Sequence, residues 1–149
     1  MTAEELMSRF SMEKHIENGA FAERHYVHEG EGRPASGSIY YYVAPGEATQ
    51  FHRIDCDEYW SFNHGAPLEV WQFSPGGALT VTMLGTEPGC EPLVYIKSGV
   101  IFAARHRAGG SEGTFLTCIT VPRFTYDGFE LIGEDRMREA FPASAAFFE

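Results

Sequence analysis

Between Phe21 and Leu131 the chain is a succession of short β-rich runs broken by Gly, Pro, Asp and Asn. Alternation at a period of two marks a strand with one buried face, because successive side chains leave the backbone on opposite sides. The runs predict strands at 38–43, 49–54, 58–63, 67–73, 79–84, 91–96, 100–105, 115–121 and 126–131. Pro75-Gly76-Gly77 reads as a hairpin turn, and the stretch from Ala108 to Gly113 as a loop. The ends differ. Thr2-Ala3-Glu4-Glu5 is a capping box, and Leu6 and Phe10 recur at helical spacing, which predicts a helix over 3–12. A second helix is predicted at 134–140, ahead of Pro142. Many short strands with short terminal helices predict an all-β sandwich or barrel, built as a single domain over residues 1–149.

Composition sharpens this reading. Hydrophobic residues make up 44% of the chain and aromatics 14%, enough to bury a core. A formal net charge of −10, with no Lys/Arg run, argues against a nucleic-acid partner. No apolar stretch has the length of a membrane span, and no secretory leader is legible. Cys56, Cys90 and Cys118 form neither a paired framework nor a C-x-x-C, which fits free thiols in a reducing cytoplasm.

The densest chemistry lies between Gly46 and Gly65. Five residues separate Gly46 from His52, Glu58 follows six positions after the histidine, and six residues separate Glu58 from Gly65. This spacing resembles the first motif of the cupin superfamily: Gly, five residues, His-x-His, three or four residues, Glu, six residues, Gly. The resemblance implies a double-stranded β-helix, or jelly-roll, barrel with His52 and Glu58 inside. In metal-binding cupins both histidines and the glutamate hold the metal; here the second histidine position is Ile54. The second cupin motif finds its best counterpart at Glu91 to Phe102, where only Gly99 survives and Phe102 stands in the last histidine position. His52 and Glu58 alone are too few for a tight metal site. No tightly bound metal or other cofactor is therefore expected. Weak metal binding at His52 and Glu58 stays open, and a metal-dependent enzyme would need a further ligand such as Gln50, Gln72, His64 or His106.

A narrower resemblance covers nearly the whole chain. Phe51-His52-Arg53-Ile54, Asp57-Glu58-Tyr59-Trp60-Ser61-Phe62 and Gly65-Ala66-Pro67-Leu68 are similar to three blocks of the uncharacterised cupin branch Cupin_5 (DUF985). Glu17-Asn18-Gly19-Ala20-Phe21-Ala22-Glu23, Ser38-Ile39-Tyr40-Tyr41, Leu84-Gly85 and Val121-Pro122-Arg123-Phe124 resemble its other blocks. Asn18 replaces a glycine, Ile101 a tryptophan and Arg123 a glycine of that pattern. The resemblance implies a dimeric jelly roll with a pocket for a sugar-like or nucleotide-sugar-like ligand.

With His52 inward, strand alternation brings Gln50 and Ile54 to the same face, and Glu58 brings Trp60 and Phe62. Tyr40 and Tyr42 are the expected inward set on the preceding strand, and Leu68, Val70 and Gln72 on the following one. The candidate site therefore has His52 as acid/base, Glu58 as its charge partner and Tyr40 as a second proton-transfer group across the barrel. Trp60 offers a flat apolar face. Tyr42, Gln50, Gln72 and Phe102 are further ligand contacts, and Glu23 lies at the pocket mouth. Histidine and tyrosine on opposed faces suit an isomerase or epimerase. A binding module without chemistry is the alternative. Arg53, outward, is expected in a surface or inter-subunit salt bridge. Tyr41, Tyr59 and Trp71 have outward parity, which predicts a homodimer interface.

Overall fold

The computed structural model describes residues 2–28, 31–107 and 109–149. It contains helix α1 (Ala3–Arg9), strands β1 (Glu13–Lys14), β2 (Ala20–Val27), β3 (Ser36–Val43), β4 (His52–Ile54), β5 (Asp57–Gly65), β6 (Leu68–Phe73), β7 (Leu79–Leu84), β8 (Leu93–Ile96), β9 (Ile101–Arg105), β10 (Thr114–Val121) and β11 (Phe129–Leu131), and helix α2 (Glu134–Ala140). The strands form two facing sheets, ordered β1-β2-β3-β10-β5-β8 and β11-β4-β9-β6-β7. The named strands pair antiparallel throughout, as in a jelly roll. The Thr2–Glu5 capping box forms at the head of α1, with Glu5 N–H donating to Thr2 Oγ1 at 3.1 Å.

Three departures from the strand pattern matter. β1 and β2 were not foreseen, yet β2 runs the length of β3 and builds one wall of the barrel. The 49–54 run is a strand only over β4, because Thr49 and Gln50 bond to Ala104 and Glu17 rather than to a ladder. The 126–131 run opens with a 3₁₀ turn, Tyr126–Gly128, before β11. The chain also continues helically past Pro142, in a 3₁₀ segment Pro142–Phe148.

The core has three parts. Between the sheets, Val43, Ile54, Trp60, Leu68, Val70, Phe102 and Leu116 pack together. Behind the five-stranded sheet, Phe51, Trp71 and Phe73 pack on Met137 and Phe147 of the C-terminal helical segment. Outside the six-stranded sheet, α1 places Leu6 over Tyr42 and Phe115, and Phe10 over Tyr40 and Phe115. This arrangement corrects the parity expected for β3. Tyr40 and Tyr42 lie on the outer face under α1, and Tyr41 is the inward, fully buried tyrosine. Parity fixed at His52 could not be carried back across the loop between Val43 and His52, because a loop does not preserve phase. Tyr41 thus leaves the outward aromatic set, and Trp71, though outward, is covered by Phe147 of its own chain. Gly65, which closes the motif, sits at φ +106°, and a Cβ there would come within 2.0 Å of the Gly113 carbonyl oxygen. That contact lets β5 end tightly against the start of β10.

Candidate functional site

A cavity of about 440 Å³ opens at one end of the barrel, a usual size for a small-ligand site. Its polar lining includes His15, Glu17, Glu23, His52, Glu58 and Arg123. Its walls come from Phe21, Ile39, Ile54, Phe124 and Tyr126.

Buried ionisable side chains meet there, among them His15, Glu17, His52, Glu58 and the Cys118 thiol. β4 presents His52, and the start of β5 presents Glu58. Glu17 arrives from the β1–β2 turn. Asn18 in that turn has φ 74°, a left-handed conformation that Asn tolerates better than most residues, which explains why it can stand where the family pattern has glycine. The turn is stitched down by Gln50 N–H to Glu17 O at 2.9 Å, Asn18 Nδ2 to Ala48 O at 3.0 Å and Gly19 N–H to Glu47 Oε1 at 2.8 Å. The buried Tyr41 hydroxyl also donates to Asn18 O.

So held, Glu17 forms a direct ion pair with His52 Nε2 through Oε2. His52 Nδ1 lies 2.7 Å from Gln50 O. Burial lowers the His52 pKa, but the Glu17 charge and these hydrogen bonds outweigh it, so the imidazolium is favoured. Burial likewise raises Glu17, and His52, with smaller help from His15 and Tyr41, more than offsets that, so its carboxyl stays below its ordinary value. Glu58 differs. Burial and the nearby Glu17 carboxylate push it up to about 7, despite a 2.7 Å hydrogen bond from Trp60 Nε1. His15 Nδ1 accepts the Glu17 N–H at 3.2 Å, and burial keeps this ring on the neutral side. The pocket floor therefore holds a fixed ion pair and one carboxyl poised to titrate near neutrality.

Of the residues singled out from sequence, His52, Glu58 and Glu23 line the cavity. Trp60 is buried beneath Glu58 and serves as its hydrogen-bond donor. Phe102 is fully buried with its ring 4.1 Å from His52, as a backing wall. Tyr40 and Tyr42 face α1, Gln50 is exposed, and Gln72 reaches toward Tyr95 O at 3.4 Å; none of these four is among the lining residues. His64 borders a separate shallow depression, and His106 Nε2 lies 2.8 Å from Thr114 Oγ1. Arg53 pairs with Glu130 through Nε at 2.7 Å. His15, Glu17, His25, Tyr26 and Arg123 were not foreseen as lining residues. For Glu17 a signal existed: it heads the block ending at Glu23.

The profile of Cupin_5, described as cupin superfamily (DUF985), matches residues 4–132. The chain belongs to the Cupin_5 family. This Cupin_5 chain is similar to a Shewanella oneidensis protein solved by X-ray crystallography, with 28% identity and a TM-score of 0.91 over 98% of this chain and 94% of that one. It is also similar to a hypothetical protein from Leishmania major, with 24% identity and a TM-score of 0.87 over 96% and 94%. Oxalate decarboxylase from Bacillus subtilis shares the fold at 16% identity and a TM-score of 0.64, over 93% of this chain but 35% of that one. No curated protein matches the sequence.

Other cupins hold metals, and the residues of this Cupin_5 pocket do not fit one. His52 has both ring nitrogens engaged, one by Glu17 and one by Gln50 O. Ile54 and Phe102, at the other ligand positions, have no donor atoms. Among the described residues no three His, Cys, Asp or Glu side chains are grouped to hold a metal ion.

Proposed function

We propose that the barrel pocket binds a small polar ligand of carbohydrate character and transfers protons on it, as an isomerase or epimerase does. Glu58 is the proton-transferring group. The observation that carries this reading is its carboxyl, buried at the floor of a 440 Å³ cavity and held at about 7, where it can both give and take a proton at neutral pH. The Glu17–His52 pair supplies a fixed dipole beside it, and the aromatic and aliphatic walls accept the apolar faces of a ring. His52 is then a positioning residue, since its nitrogens are committed.

A second reading, binding without turnover, is favoured by one observation. Tyr41, the inward tyrosine, is pinned to Asn18 O, and burial holds its hydroxyl well above its ordinary pKa, so the tyrosine across the barrel does not serve as a second acid/base. Incubation of the protein in D₂O with a panel of aldoses, ketoses and nucleotide sugars separates the two. Deuterium entering a carbon-bound position by NMR, lost in Glu58→Gln, supports proton transfer. Binding of a panel member with no exchange supports the module.

We also propose a homodimer. Tyr59 and Tyr95 lie with ring centroids 5.2 Å apart, tilted at 40°, on the outer face of the six-stranded sheet, beside exposed Leu93, Ile119 and Val121. β8 is that sheet's edge strand, a position that self-pairing covers.

A further inference from the structure

Arg123 is the one Lys or Arg among the described residues that line the pocket, and proton transfer at Glu58 gives it no task. Its backbone is pinned from two sides. Its N–H donates to Pro34 O at 3.1 Å, and its carbonyl accepts from Arg33 Nε at 2.6 Å. Arg33 is itself held by both carboxylate oxygens of Asp55, at 3.1 and 2.8 Å. The Arg123 stem then crosses Gly37 of β3, where even a Cβ would lie 2.9 Å from Arg123 Cγ. The sheet is notched to admit this side chain. The guanidinium carbon rests 4.3 Å from the Tyr26 ring centroid, and Nη2 lies 2.7 Å from Glu23 Oε1.

The strand register ties this cation to the pocket floor. Gly37 pairs with Thr120, and Thr120 pairs with Glu58. Arg123, packed over Gly37, therefore lies two strands from the titrating carboxyl along one cross-strand row. Its present partner is weak: the Glu23 side chain is 60% exposed, and ion pairs of that kind contribute about 0–1 kcal/mol. A guanidinium laid on an aromatic ring, by contrast, presents its fork in a fixed plane suited to a carboxylate or phosphate. A chain of net charge −10 repels anions at long range, so anion binding here requires a local cation.

We propose that Arg123 receives an anionic group of the ligand, a carboxylate or a phosphate, exchanging Glu23 for it. The ligand is then an acidic or phosphorylated sugar-like molecule, with its charged end at the mouth and its hydroxyl end at Glu58. The hydroxyl end rests on the proton-transfer reading above; the charged end does not.

The test uses matched probes in calorimetry: galacturonate against galactose, and glucose 6-phosphate against glucose. Inorganic phosphate is followed separately through the Arg123 Nε–H resonance. The charged member of at least one pair should bind about tenfold tighter or more, as a charge-assisted hydrogen bond implies. Whichever pair shows the preference identifies the anion. Arg123→Gln should abolish the preference and leave the neutral member unchanged, Arg123→Lys should restore part of it, and Glu23→Gln should increase it. Equal affinity within both pairs, or an equal loss for charged and neutral members in Arg123→Gln, overturns the proposal. If no sugar binds but phosphate still shifts the Arg123 resonance, the sugar reading fails and the anion site stands. If phosphate leaves that resonance unmoved and no charge preference appears, the anion site fails.

Discussion

Glu58→Gln separates a carboxyl kept for function from one kept for stability. In the folded protein burial and the Glu17 carboxylate hold Glu58 at about 7, against an ordinary value of 4.5. The unfolded chain therefore releases this proton first. Between those two pH values the folded state binds more protons than the unfolded one, so stability falls as pH rises and levels off above about 7. At about 1.4 kcal/mol per tenfold change in proton affinity, the loss accumulates to about 3 kcal/mol by pH 8. Glutamine keeps a carbonyl oxygen to accept the Trp60 indole N–H and cannot ionise. The variant should thus track the wild type near pH 4.5 and exceed it by about 3 kcal/mol at pH 8, worth roughly 6–12 °C in Tm for a domain of this size. Urea denaturation of both proteins from pH 4.5 to 8.5 measures the difference, and titrations common to both largely cancel. An altered amide contact would offset the whole curve without changing its slope. A stability difference that stays flat across this range would sink the assignment of Glu58 as the poised group.

Three further outcomes are expected. His52→Gln should cost about 3–5 kcal/mol in urea denaturation, because it strands the buried Glu17 carboxylate, and adding Glu17→Gln should recover much of that; additive losses would mean the two do not act as a pair. Wild-type protein should sediment as a dimer and Tyr59→Asp/Tyr95→Asp as a folded monomer, while a monomeric wild type would remove the proposed interface. Dialysis against EDTA should leave the thermal midpoint unchanged; a drop reversed by adding back a transition metal would contradict the reading of His52 as fully engaged.

The strands that carry their own polarity pattern were legible in the chain. β5 to β10 are apolar-rich runs bounded by turn residues and were placed within about two residues, and the Gly46–Gly65 spacing put His52 and Glu58 in one barrel interior, from facing sheets. What escaped was long-range. Glu17 sits 35 positions before His52 and meets it only because a two-residue β1 and the Asn18 turn fold the N-terminal segment over the barrel mouth. A strand of two residues has no readable period. Tyr40 and Tyr42 were assigned to the wrong face because β3 alternates Tyr40-Tyr41-Tyr42 without any polar contrast, so only α1 packing on the outside decides which tyrosine turns inward. Trp71 failed differently: its outward parity was right, but the C-terminal segment that covers it lay beyond a proline that reads as a stop.

The Glu17–His52 contact also bears on how ligand and proton act together. In a cupin that holds a metal, the histidine lone pair faces the ion. Here a loop carboxylate takes that nitrogen, and the pair is internally neutral when Glu17 is ionised and His52 protonated. Burial favours the neutral form of His15, and Glu58, held at about 7, is the carboxyl of the floor poised to change charge near neutrality. An ionised Glu58 would repel an anion held at Arg123 across the Thr120 row, whereas a protonated one would not. By linkage, an anionic ligand at the mouth and a proton on Glu58 favour one another. If the ligand is anionic as proposed, its bound state is the one in which Glu58 carries the proton it is proposed to donate, whereas a neutral ligand of the same shape would bind without drawing that proton in.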